Sequence, residues 1–378
     1  MTSINTSQQT LQWHSTEYPS PNNLQYSWNL GLLGLINLAT QISSGILLAS
    51  IYIPNTDLAF ASIEHIQRNI NKGWLLRYTH ANTASGLFIV TYIHLLRGIH
   101  YGSYMKPRTS TWIWGSAILL SSILTAFLGY VLPWGQMSLW GATVITSLAS
   151  AIPLIGQDIV NWLWGGYSVD QATLVRFYSL HYLMPFLIIG LTAIHIQQLH
   201  SSGSSNPLGT SSQSDNIALL PQYGTKDIIG LTVYLITLST ILGYYSELLG
   251  HADNSIEANA LQTPLHIVPE WYFLPYYAVL RSIPHKLTGV LAMIGSILLI
   301  ATLPWSQHRN IRNPRLLPIQ YLSTNLLVIA FTILGIIGAK PVETPYIALG
   351  QIISGYYFCH FILILPSIDT IQSRLLQK

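Results

Sequence analysis

The sequence is poor in charge and almost free of cysteine. Lys, Arg, Asp and Glu together make up 8% of the 378 residues, whereas a soluble protein devotes about a quarter of its residues to them. So few charges cannot cover a water-facing surface, which excludes a soluble enzyme, a nucleic-acid-binding protein and a disordered scaffold. The single cysteine, Cys359, excludes a disulfide framework, an iron–sulfur cluster and the Cys-x-x-Cys-His attachment of a c-type haem. Half of the residues are hydrophobic, so the composition indicates a membrane protein.

The few charged residues are spaced so that eight long intervals contain none. Each interval can hold the roughly 20 apolar residues that cross a hydrocarbon core. The third interval is too long for one helix and is broken by prolines and a glycine, so we expect an interfacial segment at 136–165 rather than a ninth span. We predict eight membrane-spanning helices near residues 29–51, 76–100, 111–131, 173–200, 227–246, 287–305, 318–338 and 345–367.

The distribution of charge between the loops predicts the orientation of the chain. The side that carries the N-terminus receives nine Lys or Arg and four acidic residues, and the opposite side receives seven and nine. Because basic residues concentrate on the inner side of a membrane, both termini are expected to face the inner compartment. The tail 1–27 is polar and is expected on the surface, and the first span has no basic leader or cleavage site of a signal peptide.

Four histidines lie deep within the predicted spans, where histidine is costly and indicates function. His80 and His94 lie on the second span, and His181 and His195 lie on the fourth, 14 residues apart in both cases. Fourteen residues are close to four helical turns, so each pair shares a helix face about 21 Å apart. Because the two spans run in the same direction, His80 faces His181 at one depth and His94 faces His195 at another. Two such pairs can each hold a haem iron axially.

Other residues follow the same pattern, and other interpretations of it remain open. Gly31 and Gly45 on the first span, and Gly115 and Gly129 on the third, repeat the 14-residue interval, as clearance for a flat macrocycle requires. Arg77 and Arg97 each lie three residues from a histidine, where a guanidinium can pair with a haem propionate or extend to the membrane surface. Polar contacts between helices and a proton relay are the alternatives for the histidines, and helix packing is the alternative for the glycines.

Four strings carry a resemblance to a known family. They are Arg77-Tyr78-Thr79-His80-Ala81-Asn82, Pro133-Trp134-Gly135-Gln136-Met137-Ser138, Trp140-Gly141-Ala142-Thr143-Val144-Ile145-Thr146 and Pro269-Glu270-Trp271-Tyr272-Phe273. Over essentially its whole length, the chain resembles the cytochrome b family of respiratory ubiquinol–cytochrome c oxidoreductases. The resemblance implies an all-α integral membrane protein. Its first four spans form a haem-binding four-helix bundle, four C-terminal helices follow, and short interfacial helices lie in the third-to-fourth and fifth-to-sixth connections.

The resemblance also assigns cofactors and their residues. It implies two non-covalent b-type haems, with His80 and His181 ligating the low-potential haem near the outer side and His94 and His195 ligating the high-potential haem near the inner side. The other haem-contacting residues that it implies are Arg77, Arg97, Ser103, Trp112, Asn206, Gly31, Gly45, Gly115 and Gly129.

The resemblance further implies two sites for ubiquinone or ubiquinol. The outer site, where quinol is oxidised, comprises Phe127, Tyr130, Gly141, Val144, Ile145, Pro269, Glu270, Phe273 and Tyr277. The inner site, where quinone is reduced, comprises Trp28, Asn29, His200, Ser204, Lys226 and Asp227. Of these, Glu270, Tyr130, Tyr277, His200 and Asp227 are the candidate catalytic residues.

Proton chemistry favours two of these assignments independently. Quinol oxidation releases protons, and Glu270 lies among apolar aromatics on the outer side, where it can act as a general base; a surface carboxylate is the alternative. Quinone reduction consumes protons, and His200 with Asp227 forms a candidate donor pair on the inner side. Because His200 ends the fourth span, capping of the helix dipole is an equal alternative for it.

The chain departs from the family pattern at three positions. Thr83 stands where glycine is usual, and its closeness to His80 is expected to alter the packing around the outer haem. Leu32 replaces a serine that the family often places near the inner quinone, and Ser205 stands where asparagine is common.

We divide the chain into an N-terminal haem-carrying region, 1–210, and a C-terminal region, 211–378, that completes the quinone sites. The resemblance implies a Rieske iron–sulfur protein, cytochrome c1, membrane lipid and a second copy of the chain as partners. The fused chain and its shortness favour a mitochondrial inner-membrane protein, and a bacterial protein is the alternative. A dihaem anchor without quinone chemistry and a haem-free transporter are the competing functions.

Overall fold

The computed structural model describes residues 16–306 and 311–375, and this part of the chain is mostly helical. A 3₁₀ turn at Tyr26–Trp28 leads into the first long helix. In chain order the α-helices are α1 (Leu30–Ala49), α2 (Ala59–Asn69), α3 (Gly73–His100), α4 (Thr109–Val131), α5 (Gln136–Ser147), α6 (Gly156–Trp164), α7 (Gln171–Ser202), α8 (Gln222–Tyr244), α9 (Leu274–Ser282), α10 (Lys286–Ala301), α11 (Leu303–Ser306), α12 (Pro318–Gly338), α13 (Tyr346–Cys359) and α14 (Leu365–Leu375).

A helix lies at each of the eight predicted spans. Among the described residues, six helical stretches are long and apolar enough to cross a membrane: Tyr26–Ala49, Thr109–Val131, Gln171–Ser202, Gln222–Tyr244, Pro318–Gly338 and Tyr346–Ile368. Of the other two, α3 has 28 residues but is more polar, and α10 is apolar but has only 16. The α-helical membrane fold is confirmed, and the count of eight spans stays a prediction.

The predicted interfacial segment after the third span is confirmed as two short helices. α5 has 12 residues and α6 has nine, and both are too short to cross a hydrocarbon core. α6 ends at Gly165, whose φ of 72° is the left-handed conformation that terminates helices. α7 then begins with a capping box in which the side chains of Asp170 and Thr173 satisfy each other's backbone N–H groups.

The long helices associate in two groups. In the N-terminal half, α1 packs along α3, and α4 packs along α7. In the C-terminal half, α9 packs against α10, α12 and α13. α12 and α8 also contact α3, so α3 connects the two halves. The proposed division after residue 210 therefore stays a prediction rather than a visible boundary.

The N-terminal segment is held against the connection between α7 and α8. Strand β1 (Pro19–Pro21) pairs antiparallel with strand β2 (Asn216–Ala218). Lys226 in α8 donates from Nζ to the Leu24 carbonyl oxygen at 2.6 Å. These contacts join parts of the chain about 200 residues apart and bring the start of α1 beside the start of α8.

The last span contains a local change of helix type. Residues His360–Ile364 form a π-helical turn between α13 and α14. Tyr357, Phe361 and Leu365 precede, lie within and follow this turn, and each is at most 3% exposed. The three side chains therefore face the same core of α10 and α12 neighbours across the change of helix type.

The residues at the ends of the chain bear on the predicted orientation. Three parts of the chain lie outside the described residues: 1–15, 307–310 and 376–378. They include Arg309 and Lys378, which entered the charge count. The side chains of Asp369 and Arg374, also counted, lie outside the description as well. The position of both termini on the inner side stays a prediction.

Candidate metal centres and catalytic site

The structure brings the four predicted histidines together in two pairs between α3 and α7. The ring centres of His80 and His181 are 6.2 Å apart, and their planes are 85° to each other. Metal–imidazole bonds are about 2 Å long, so two such bonds plus the half-widths of the rings account for this separation. His94 and His195 form the second pair and are close enough to interact electrostatically. The geometry of the outer pair fits a single metal ion held between two imidazoles.

Three of the four imidazoles are oriented by a hydrogen-bond acceptor at Nδ1. His181 Nδ1 lies 2.8 Å from the Thr125 carbonyl oxygen, and His195 Nδ1 lies 2.8 Å from that of Thr111. A carbonyl only accepts, so Nδ1 carries the proton in both rings and Nε2 keeps its lone pair. His80 Nδ1 lies 2.9 Å from Ser44 Oγ. Because this hydroxyl donates to the Thr40 carbonyl, it accepts from His80. A ligand histidine needs this tautomer.

His94 is the exception. Its Nδ1 lies 3.2 Å from Nη2 of Arg97, and a guanidinium only donates, so Nδ1 acts as the acceptor here. The Arg97 guanidinium also lies 4.9 Å from the centre of the Trp28 ring. Arg97 therefore links the inner histidine pair to the turn that precedes α1.

The four glycines of the 14-residue interval each lie against one histidine. A Cβ added to Gly45 or Gly115 would lie 3.0 Å from Cε1 of His80 or His195, respectively. One added to Gly129 would be closer still to His181, and one added to Gly31 would lie 3.6 Å from His94. The 14-residue interval predicts that these glycines provide clearance for a macrocycle. In the structure, the side-chain atoms nearest to each glycine are those of the imidazole, so the clearance begins at the ligand itself.

The segment 269–273 is anchored to α3. Trp271 donates from Nε1 to Ser85 Oγ at 3.0 Å, and Tyr92 donates from its hydroxyl to the Tyr272 carbonyl at 2.6 Å. The rings of Phe88 and Tyr272 are stacked with centres 4.2 Å apart. These contacts fix the two residues that follow Glu270, so the segment that carries this carboxyl is held by the helix that also carries His80.

Glu270 faces a phenol and a guanidinium. Its carboxyl interacts electrostatically with the Tyr130 phenol and with the positive charge of Arg77. Burial raises the pKa of the Glu270 carboxyl from 4.5 to about 7, although Tyr130 and Arg77 both oppose the rise. A carboxyl with a pKa near neutrality both accepts and releases a proton readily. The structure thus brings together Glu270, Tyr130 and Arg77, all of which the sequence analysis selected.

The start of α5 is joined to the connection after α8. Trp134, with a φ of 56°, and Gly135 make a tight turn in which the Gly135 backbone approaches Asn254 closely. Ser138 donates from its backbone nitrogen and its hydroxyl to Asn254 Oδ1, both at 2.9 Å. Its hydroxyl also lies 2.7 Å from the Tyr130 carbonyl. These bonds fix the start of α5 against residues 252–255 of that connection.

The remaining residues of the predicted outer site lie on α4, on α5 and in the stretch 269–277, and their assignment to one site stays a prediction. An added Cβ on Gly141 would meet no atom within 4 Å, so there is open space beside α5 at this point. Val144 and Ile145, one turn further along, are half-buried. The Tyr277 ring lies under the Arg281 guanidinium, and Phe127 packs on Phe177. Pro269 directly precedes Glu270, and the Phe273 ring packs edge-on against Phe88.

The predicted inner-site residues lie where the N-terminal segment meets α7 and α8. Asn29 donates to the Lys226 carbonyl at 2.8 Å, and Asp227 is the next residue of α8. The His200 ring stacks on the Tyr18 ring with centres 4.2 Å apart. Ser204 accepts at its carbonyl from Arg108 at 2.9 Å.

Three residues assigned to haem contact make hydrogen bonds to other residues of the chain. Ser103 and Ser205 share a hydroxyl hydrogen bond of 3.0 Å. Trp112 donates from Nε1 to the Ile300 carbonyl at 2.9 Å, and Asn206 donates to the Thr210 carbonyl at 2.8 Å. Ser205, a departure from the family pattern, thus takes part in the link between the loops after α3 and α7. The haem-contact assignment of Ser103, Trp112 and Asn206 stays a prediction.

Sequence reasoning missed two contributors to these sites. Ser44, which accepts from His80, directly precedes Gly45, and this adjacency is the one signal that could have revealed it. Tyr18, which stacks on His200, lies in the polar tail and has no periodic signal. Tyr18 comes into contact through the long-range pairing of β1 with β2, which the sequence pattern does not indicate.

The structure is a helical membrane bundle in which two pairs of imidazoles face each other along the same two helices. This arrangement defines a class of membrane protein that holds metal centres between its helices. Comparison with known proteins identifies the family within that class. Residues 15–203 match the family model described as "Cytochrome b/b6/petB", and residues 257–358 match the one described as "Cytochrome b(C-terminal)/b6/petD".

Individual relatives agree with this result over nearly the full length. The cytochrome b of Chondrus crispus is 55% identical over 364 residues, covering 96% of both chains. The cytochrome b of Rickettsia prowazekii is 50% identical, covering 96% of this chain and 92% of the relative. A solved chain from a hyperthermophilic respiratory complex III has a TM-score of 0.91 at 32% identity and 96% coverage of both chains. The chain belongs to the cytochrome b family, and membership implies b-type haem and membrane electron transport.

Proposed function

We propose that the chain is the haem- and quinone-binding subunit of a ubiquinol–cytochrome c oxidoreductase of the complex III type. It oxidises ubiquinol at an outer site, carries electrons across the membrane and reduces quinone at an inner site, which contributes to proton translocation. The observation that carries this proposal is the combination of two facing imidazole pairs with Glu270, a carboxyl whose pKa burial raises to about 7. Haems held by the two imidazole pairs would suffice for electron transfer, and the Glu270 carboxyl adds proton chemistry.

The residues present fit two b-type haems. His80 with His181, and His94 with His195, would hold the two haem irons, through Nε2 in the three rings whose Nδ1 faces an acceptor. Haem supplies one-electron redox chemistry, and the imidazoles and their hydrogen-bond partners tune its potential. At the inner pair, Arg97 would release His94 Nδ1 and pair with a propionate, so that His94 adopts the tautomer of the other three.

At the outer site, Glu270 would accept a proton from the quinol. Its pKa near 7 leaves about half of the carboxyl ionised at neutral pH, so it can take the proton and release it again. The neighbouring Tyr130 phenol and the Arg77 guanidinium both stabilise the ionised form of the carboxyl. The open space beside Gly141 would admit the quinol ring.

At the inner site, quinone reduction would draw protons through His200 and Asp227. Stacking on Tyr18 fixes the plane of the His200 ring. Lys226, whose Nζ binds the Leu24 carbonyl, would hold the N-terminal segment and Trp28 against the site. Ser204 and Asn29 border the same region through their bonds to Arg108 and to the Lys226 carbonyl.

One chain cannot complete the reaction, because the two electrons of quinol leave by different routes. One passes inward through the chain, and the other requires an acceptor of high potential, which we propose is a Rieske iron–sulfur protein that passes it to cytochrome c1. A second copy of the chain and membrane lipid are further proposed partners. We propose the mitochondrial inner membrane as the location, with both termini on the matrix side. The Rickettsia relative keeps a bacterial membrane as the alternative.

A dihaem anchor without quinone chemistry is the second candidate function, because it would use the same four histidines. It would not need the buried Glu270–Tyr130 pair, which therefore favours the oxidoreductase. A redox-titrated optical spectrum of the purified complex tests both. We expect two b-type components of different midpoint potential, with the outer component lost in His181→Leu and both kept in His65→Leu, an exposed histidine outside the bundle. A spectrum without haem would leave only the transporter interpretation.

A further inference from the structure

We propose that Thr83 and Gln41 are positioning residues that fix the orientation of the His80 imidazole and thereby set the potential of the outer haem. This proposal rests on the proposed role of His80 as an iron ligand. Thr83 is one of the departures from the family pattern, and it is 1% exposed. From the sequence, we expect Thr83 to alter the packing near His80. In the structure it completes a hydrogen-bond network instead.

The network joins α1 to α3 at the outer histidine. Gln41 on α1 donates from Nε2 to the His80 carbonyl at 2.6 Å and to Thr83 Oγ1 at 2.5 Å. Thr83 in turn donates from its hydroxyl to the Thr79 carbonyl at 2.6 Å. Three residues further along α1, Ser44 accepts from His80 Nδ1. One face of α1 therefore holds both the backbone and the ring of His80.

Each donor hydrogen of this network has an acceptor. The Thr83 hydroxyl donates its hydrogen to the Thr79 carbonyl, so the hydroxyl oxygen can accept a hydrogen bond from Gln41. The Gln41 amide has two hydrogens, and the two contacts of Nε2 use both. A glycine at position 83 would leave one of these hydrogens without its acceptor, and the amide could then rotate away from His80.

The orientation of the ring matters because two features of a ligand imidazole tune the metal. The first is the hydrogen bond at Nδ1, which makes the imidazole a stronger donor and favours the oxidised iron. The second is the angle between the two ligand planes, 85° for His80 and His181. If Gln41 releases the His80 carbonyl, the ring can turn away from Ser44, and the outer haem becomes easier to reduce.

The test is a redox titration of Thr83→Val in the intact complex. Valine keeps the shape of threonine and has a methyl group in place of the hydroxyl. We expect the equilibrium between oxidised and reduced outer haem to shift about threefold towards the reduced form, which is a rise of about 30 mV at 59 mV per tenfold for one electron. The low-spin ferric electron paramagnetic resonance signal of the outer haem should shift too, because it reports the angle between the ligand planes.

Controls separate positioning from general destabilisation. Thr83→Ser keeps the hydroxyl and should restore the potential and the resonance signal. Thr232→Val removes a similar hydroxyl, which bonds the Ile228 carbonyl within α8, and should change neither. The inner haem serves as the internal reference in every variant. If Thr83→Val does not assemble, Thr83→Ala and Gln41→Leu test the same network.

Two outcomes overturn the proposal: an unchanged outer midpoint in assembled Thr83→Val, or a Thr83→Ser variant that shifts as far as valine does. Failure of the proposed function would look different. In that case His80→Leu would retain both haem components, whatever the result at position 83.

Discussion

Replacing Glu270 by glutamine should have two effects of opposite sign, one on activity and one on stability. Both follow from the burial that raises the pKa of this carboxyl from 4.5 to about 7. At about 1.4 kcal/mol for each tenfold change in proton affinity, the ionised form is destabilised in the folded protein by about 3 kcal/mol. Glutamine has nearly the same shape but neither ionises nor accepts a proton as a base.

The activity effect is a loss of pH dependence. With a pKa of about 7, the ionised fraction of Glu270 rises from about a tenth at pH 6 to about nine tenths at pH 8. Quinol oxidation by the intact complex should therefore rise several-fold over this range. General-base catalysis contributes typically 10²–10⁴-fold, so Glu270→Gln should slow the reaction by about that factor and remove the inflection near pH 7.

The stability effect has the reverse direction. Because the folded protein binds the Glu270 proton more tightly than the unfolded chain does, the stability contributed by the neutral carboxyl is complete below about pH 4.5 and is lost as the pH rises to about 7. At pH 8, Glu270→Gln should therefore unfold at a higher temperature than the unmodified complex, and the difference should vanish near pH 4.5.

The assays are quinol-dependent reduction of cytochrome c from pH 5.5 to 8.5 and thermal unfolding at both ends of the stability range. Glu257→Gln, on the same connection between α8 and α9, is the matched control. A Glu270→Gln complex that keeps the pH profile of the unmodified protein would refute the assignment of the base. Equal unfolding temperatures at pH 8 would refute the burial argument.

Three further predictions concern other parts of the structure. Gly129→Ala should lose the outer haem, because its Cβ overlaps the facing imidazole, whereas Gly31→Ala, with 3.6 Å of clearance, should retain the inner haem; equal haem contents would contradict this. Tyr18→Ala should slow quinone reduction at the inner site several-fold and Tyr18→Phe should not, because the ring holds His200 by stacking; inner-haem reoxidation kinetics measure this. Gln320→Leu should not lower the unfolding temperature, because both amide atoms are buried without a hydrogen-bond partner; a lower temperature would show that the amide stabilises the fold.

The positions of the ligand histidines could be predicted from the sequence because helix geometry determines them. Fourteen residues return a side chain nearly to the same face, and parallel helices then bring the pairs to matching depths. The pairing of His80 with His181 needs no information beyond the helix limits and their direction. The Glu270 segment could also be recognised, because a carboxyl among aromatic residues is unusual in a membrane protein.

The partners that orient these residues could not be predicted. His181 and His195 bind backbone carbonyls, which every residue carries and which therefore leave no mark in the sequence. Tyr18 reaches His200 only because two three-residue strands pair across about 200 residues. The effect of Thr83 depends on Gln41, and no pattern within either helix indicates that these side chains meet.

The π-helical turn at His360–Ile364 corrects the phase of the last span. At about 100° per residue, side chains four positions apart in an α-helix drift by about 40° around the axis at each step. A π turn advances less per residue, so Tyr357, Phe361 and Leu365 stay in line with one core instead of spiralling away from it. Deleting one residue from this turn would restore a regular α-helix and rotate α14 relative to α12. The last span would then be only one residue shorter and would stay hydrophobic, but it would present a different face to its neighbours. The place of the extra residue therefore determines how the last span packs in the C-terminal half.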